Sequence, residues 1–312
     1  MNIRFWGVRG SLPAPLTPQQ IRAKINAVVQ RIAPTDVLSE ESRERFLCAL
    51  PNWLFGSIGG NTPCVAVTTQ AGTKLVFDAG TGIRIMGKQE EPPQNNHYHL
   101  FFSHFHWDHI QGLPFFDPAY NKDTVFDMYS PVQNFKEILS NQMRTPYFPV
   151  ALESFTKNIT YHTVTEGQFF SVNDVQICTV KMSHPGGSYA YAVQEGNHKF
   201  VYATDVELLA KDFEVSPARA MVFQNADAIV IDAQYTVEEA YSKQNWGHSA
   251  FCYAIDFAVA WNIKKVFLFH HDPAYDDRKL HSLLESAQWY ANYISHDEIE
   301  VALAVEGQEI QL

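Results

Sequence analysis

Residues 103–112 read "SHFHWDHIQG". Within that stretch His104, His106, Asp108 and His109 crowd lone-pair donors into a single turn. Neutral imidazole and carboxylate together suit zinc and its first-row neighbours better than magnesium or calcium. One tight turn cannot wrap all of these side chains around one ion in tetrahedral geometry. It can aim His104 and His106 one way and Asp108 and His109 another, which points to two ions rather than one.

Two ions need further ligands, and the ends of predicted strands offer them. His184 closes "VQICTVKMSH", Asp205 closes "KFVYATD" and His270 closes "KKVFLFH". On this reading His104, His106 and His184 hold one ion, Asp108, His109 and His270 hold the other, and Asp205 bridges. Taken singly, each strand-end residue has an ordinary structural alternative. As a set they complete two half-built sites, at the places where a rigid scaffold presents side chains.

The rest of the 312-residue chain sets bounds on that chemistry. Hydrophobic residues at 46% and charged residues at 18% are ordinary for a globular protein, so disorder is not the default. The opening "MNIRFWGVRGSLPAP" lacks a signal-peptide apolar region, and no stretch reaches a membrane span, so the expected location is the cytoplasm. Cys48, Cys64, Cys178 and Cys252 form no CxxC pair, which argues against a thiolate zinc site and a disulfide framework. A net charge of −11 makes a poor general surface for long nucleic acid. It leaves room for a small anionic substrate neutralised locally by metal.

Along the chain the pattern is mixed α/β. "NIRFWGV", "CVAVTT", "KLVF", "HYHLFF", "TVFDMYS", "VQICTVKM", "DAIVIDA", "KKVFLF" and "IEVALAV" read as strands, and "YAYAVQEGNHKFVYATD" as a hairpin turning at Gly196–Asn197. Helices are expected near 131–142, 216–225, from about 249, and near 277–294. Between the first two strands, residues 17–55 read as a helical insert. Thr17, Pro18 and Gln20 form a capping box, and Ile21, Ile25, Val28, Val29 and Ile32 recur as one apolar stripe. A second insert helix starts at Ser39, turns Phe46, Leu47 and Leu50 inward, and stops before Pro51.

"SHFHWDHIQG", with "FDAGTG" upstream and His184, Asp205 and His270 following in order, resembles the metallo-β-lactamase superfamily. The likeness spans nearly the whole chain apart from 17–55. It implies a four-layer αββα sandwich in one metallo-hydrolase domain, residues 1–312, with the same ligand roles and Asp78 orienting them from behind. "FWGVRGSLPAP", "GGNTPCVAV", "HWDHIQGLPFF", "SHPGGSYAY" and "FHHDP" are similar to the phosphodiesterase-like branch, which includes cyclic-nucleotide phosphodiesterases and is related to ribonuclease Z. In "NWGHSA", His248 stands where that branch carries an extra histidine that contacts phosphate and protonates a leaving oxygen. Asp232 stands where ribonuclease Z has an acidic partner for it.

The expectation is therefore a binuclear phosphodiesterase. Its cofactors are two divalent ions, zinc before manganese or iron, and its catalytic residues are Asp108, His248 and Asp232. The substrate is a small phosphodiester, first a 3′,5′-cyclic nucleotide, because the insert has no basic grip. Arg22, Lys24, Arg31, Arg43 and Arg45 there stand against Asp36, Glu40, Glu41 and Glu44. The insert itself is open as a lid, a homodimer contact or a packed flank. The rivals are a tRNA 3′-processing endonuclease, a thioester or lactone hydrolase, an iron-dependent oxygen-handling protein, and a metal or nucleotide sensor. Trp107 is read as packing beneath the metal loop. Arg84, Asn61 and Thr62 are candidate phosphate or loop contacts, and His271 stays unassigned. His97, His99, His162, His198, His281 and His296 read as structural or solvent-exposed.

Overall fold

Successive side chains on a strand point to opposite faces, so strands apolar on both sides must be covered on both sides. The computed structural model describes residues 1–295 and 298–312, and the expectation for His296 lies outside them. The chain first lays down β1 (Asn2–Gly7), β2 (Cys64–Thr68), β3 (Lys74–Phe77), β4 (His97–Phe101), β5 (Val125–Ser130) and β6 (Ile159–Thr163). A second set follows: β7 (Phe170–Val172), β8 (Val175–Met182), β9 (Ser188–Glu195), β10 (His198–Ala203), β11 (Ala228–Asp232), β12 (Lys265–Phe269) and β13 (Glu300–Leu303). β14 (Glu309–Gln311) then returns to pair with β1. The result is two seven-stranded sheets, ordered β14-β1-β2-β3-β4-β5-β6 and β13-β12-β11-β10-β9-β8-β7.

Ten helices complete the described layers: α1 (Pro18–Val29), α2 (Glu40–Cys48), α3 (Asn52–Phe55), α4 (Gly82–Gln89), α5 (Trp107–Ile110), α6 (Phe135–Gln142), α7 (Pro217–Phe223), α8 (Val237–Ser242), α9 (Phe251–Ala260) and α10 (Asp277–Ser295). Phe5, Val65, Phe77 and Phe101 face the second sheet, and Phe77 meets Tyr202 across the gap at 5.4 Å between ring centroids. Their neighbours Trp6, Ala66, Val76 and Leu100 face outward against Ile83 and Met86 of α4 and Phe135 and Leu139 of α6. α7, α9 and α10 cover the other sheet through Val222, Phe257 and Leu283. This is the four-layer αββα sandwich that the family resemblance implies. No helix among the described residues is long and apolar enough to cross a membrane.

The insert helices form with the expected caps, Thr17 with Gln20 and Ser39 with Ser42. Their packing departs from the pattern. Leu50 is buried and Phe46 and Leu47 are half-buried, but Ile21, Ile25, Val29 and Ile32 face solvent. What ties α1 to the body is polar: Lys24 Nζ donates to the buried Asp277 carboxylate and to the Gly56 carbonyl.

Parallel pairing runs through β3-β4-β5-β6 and again through β10-β11-β12-β13. Carboxyl ends of parallel strands leave a crevice beyond the sheet, where open α/β sheets place their ligands. The residues that follow β3, β4, β10, β11 and β12 all arrive at one such edge.

Candidate metal centre

At three of these strand ends the backbone turns left-handed, at Asp78 (φ 58°), Asp205 (φ 49°) and His270 (φ 59°). Side chains with a Cβ rarely adopt this conformation, and Asp, Asn and His tolerate it best. Each strand therefore stops abruptly and swings its next polar side chain over the sheet edge. The loop after β4 supplies His104 and His106, and the single turn α5 supplies Asp108 and His109.

Two groups of donors result. One ligand atom each from His104, His106, His184 and Asp205 lie within 4.8 Å of one another, and so do those of Asp108, His109, Asp205 and His270. This is the division read from the sequence, with Asp205 common to both groups. Asp205 Oδ1 lies 3.1 Å from His109 Nε2 and 3.2 Å from His270 Nε2. Its Oδ2 lies 3.5 Å from His104 Nε2 and 3.8 Å from His184 Nε2.

Partners behind the donors fix their tautomers, which is how ligand shells are usually aimed. Asp78 accepts the His109 Nδ1 proton at 2.7 Å, the Ser103 hydroxyl at 2.6 Å and the Tyr202 hydroxyl at 2.8 Å. Ser103 Oγ in turn lies 3.0 Å from His104 Nδ1. His184 Nδ1 is held by the Gly247 carbonyl at 2.9 Å. In each case Nε2 is left facing the centre. Asp108 Oδ2 accepts the Ser11 backbone N–H at 2.8 Å, a contact that sequence reasoning missed.

The donors fit cations. Nε2 of His104 and of His109 is buried without a hydrogen-bond partner among the described residues. An unsatisfied buried polar atom costs about 1–3 kcal/mol, which a cation at the centre would remove. Burial, with His109 alongside, pushes His104 well below the usual imidazole range, so it stands as a neutral donor. Burial also opposes charge on His109, yet Asp205, Asp108 and Asp78 hold a proton there well above that range. Three carboxylates converging on one buried point make a well for positive charge.

His248 sits beside the second group. Its ring stacks on His270 at 4.8 Å, and its Nδ1 donates to Asp232 Oδ2 at 2.6 Å. Asp232 is fully buried, and its other oxygen accepts the Ser249 N–H at 2.9 Å. Glu207 accepts the backbone N–H groups of Asn245 and Gly247 and so shapes the loop that carries His248. A cavity of about 400 Å³ opens there, lined by His248, Glu207, Leu209, Tyr241, Asn245 and Tyr253.

Trp107 does not pack beneath the loop: it is 81% exposed. Its neighbours Asp108 and His109 turn inward, and a one-turn helix has no second face to bury it. Thr62 is a loop prop, accepting from Thr81 N at 2.8 Å and Gln111 Nε2 at 3.1 Å, and Asn61 is bound to Glu306. Arg84 is exposed on α4. His271 turns away from the centre, bonds the Ala304 carbonyl at 3.0 Å, and is pushed down to about 3 by burial.

Gly10 is a second feature without a side-chain signature. A Cβ there would overlap the His270 ring. Gly10→Ala is therefore expected to displace that ring and weaken cation affinity at the second group by about 10- to 100-fold, as loss of supporting contacts does elsewhere. Competition with a chelator dye measures this, and unchanged affinity would show that the ring has room.

The fold and this donor set define a metal-dependent hydrolase. The beta-lactamase superfamily domain matches residues 73–271, and the chain belongs to that superfamily. It is 22% identical over 290 residues to a ribonuclease Z of Picrophilus torridus, covering 78% of this chain and 90% of the relative. Among solved structures, the metallo-beta-lactamase fold protein YhfI from Bacillus subtilis aligns with a TM-score of 0.66 at 14% identity, over 99% of this chain and 98% of that one. The human short-form tRNase Z aligns with a TM-score of 0.62 at 16% identity, over 100% of this chain and 99% of that one.

Proposed function

We propose that the chain hydrolyses phosphodiesters and that its substrate is small, a 3′,5′-cyclic nucleotide. The observation that carries the reaction class is the buried Asp232–His248 pair set against two donor groups that share Asp205. In this reading His104, His106 and His184 hold one cation, Asp108, His109 and His270 hold the other, and Asp205 belongs to both. The imidazole-rich donor set favours zinc over manganese or iron. Cations held there would supply Lewis acidity and lower the pKa of water toward neutrality.

The protein's own residues do the rest. Asp108 Oδ2 is engaged by Ser11 and faces His270 at 3.1 Å, which leaves Oδ1 to orient the attacking water and take its proton. His248, aimed by Asp232, gives a proton to the leaving alkoxide oxygen. Tyr241 and Tyr253 in the adjoining cavity offer flat surfaces for a base, and its size lies in the range of small-ligand sites.

A second reading, cleavage of precursor tRNA, is favoured by the ribonuclease Z relatives. The net charge of −11 and the near-neutral insert weigh against a long polynucleotide. The test is a panel of cyclic mononucleotides, cyclic dinucleotides and precursor tRNA, with zinc and with manganese. A cyclic mononucleotide is expected to show the highest kcat/KM. Cleavage of the RNA alone would overturn the small-substrate reading, and inactivity on every phosphodiester would overturn the reaction class.

A further inference from the structure

A second gathering of histidines lies at the other end of the first sheet and takes no part in the chemistry above. His97 and His99 are two residues apart on β4, so both rings share the face that also carries Phe101. Asp127 is the register partner of His99 on β5, and His162 on β6 pairs with Tyr129, one step diagonal to Asp127. Three adjacent strands thus point four ionisable side chains at one spot. We propose that His97, His99 and Asp127, with His162 holding Asp127 in place, form a third cation site that takes a late first-row divalent ion such as Zn²⁺ or Cu²⁺.

The distances suit such an ion. His97 Nε2 lies 2.7 Å and His99 Nδ1 3.8 Å from the same oxygen, Asp127 Oδ2, and the donor atoms of all three residues lie within 4.8 Å. Tetrahedral zinc with bonds of about 2.0–2.1 Å separates its donors by about 3.3 Å, between the two observed spacings. The other oxygen, Oδ1, is fixed by His162 Nε2 at 2.7 Å, the orienting contact that metal-bound carboxylates commonly have.

Charge argues the same way. The His97 and His99 rings stand 4.3 Å apart, so both can face one ion. His99 is buried, and burial, with His97 beside it, lowers it to about 4, so it is a neutral donor at physiological pH. Its present contacts are weak, 3.3 Å to the Tyr129 hydroxyl and 3.4 Å to Asn173 Nδ2. His97 and His162 are about a third exposed, which gives an ion a way in.

The site is separate from the hydrolytic centre. It lies in the amino-terminal halves of β4 and β5, whereas His104 follows the carboxyl end of β4, on the order of 15 Å further along from His99 at strand rise. An ion there would staple adjacent strands and raise stability by binding only the folded chain.

The experiment compares full-length protein with His97→Ala, a partly exposed position outside the hydrolytic machinery. Both are equilibrated with Zn²⁺ and assayed for bound metal, and zinc-loaded samples are then titrated with Cu²⁺ and followed by EPR. The wild type is expected to hold one more equivalent of zinc than the variant, and to give one more equivalent of nitrogen-coordinated Cu²⁺ signal than the variant does. Because the readout is a difference, it does not depend on how fully the hydrolytic centre is loaded. Equal zinc content, or a nitrogen-coordinated Cu²⁺ signal of equal intensity in wild type and His97→Ala, overturns the proposal. A His162→Gln variant that keeps the extra equivalent with lower affinity would support the orienting role, and one with unchanged affinity would remove His162 from the site.

Discussion

Asp205→Ala is expected to lower the proposed phosphodiesterase turnover by about 10³-fold or more and to reduce bound metal by at least one equivalent. Asp205 is the one side chain common to both donor groups, and it is almost completely buried. Burial works against its charge, yet His109 and His270 draw its carboxyl well below the usual range. Removing it leaves each group with three donors and takes away one of the three carboxylates around His109. Asp205→Asn separates charge from shape, because Asn accepts the same left-handed backbone. It should lose metal affinity while keeping the fold, as read by circular dichroism. If Asp205→Ala kept both ions and its turnover, the shared-carboxylate arrangement would be wrong.

His248→Ala should behave oppositely with respect to metal. It belongs to neither of the groups that share Asp205, so both ions should stay bound while turnover falls by about 10²- to 10⁴-fold, the usual worth of a positioned acid. The pH profile adds a sharper signature. Burial opposes its charge, but Asp232, then Asp205 and Asp108, raise His248 to about 9. The acid form is therefore present at neutral pH and is lost as pH rises through that value, which places an alkaline limb on kcat. Cations bound alongside repel the imidazolium, so the limb should fall below 9. Asp232→Asn should move it further down, and His248→Ala should erase it. A limb unaffected by either change would assign it to another group.

Much of this centre was legible because its parts are side chains with strong chemistry. His184, Asp205 and His270 could be matched to the 104–109 cluster from the sequence alone, since each closes an apolar run that ends at a sheet edge. Ser11 and Gly10 were not legible for the opposite reason. One contributes a backbone N–H and the other the absence of a Cβ, and neither leaves a mark that distinguishes it from an ordinary turn. Trp107 was misplaced because an apolar side chain suggests burial, whereas its place on a one-turn helix is decided by the inward neighbours.

The fold shows the same division. The apolar strands announced both sheets, while β6 is a partly polar edge strand and β14 an edge strand of three residues, both with little pattern to find. α4 follows directly on a glycine-containing turn, and no helix was expected over its eight residues. The α1 stripe illustrates a general limit. Periodicity tells which residues share a helix face, but not whether anything stands opposite that face.

The positive φ angles at positions 78, 205 and 270 carry a consequence for how such a chain can drift over generations. Selection for chemistry is not the only filter there, since branched or bulky replacements are resisted by the main chain itself. A descendant that abandoned hydrolysis should therefore still draw on a narrow alphabet of Asp, Asn, His and Gly at these places. In such a lineage the persistence of those letters would record the bend of the chain rather than retained activity.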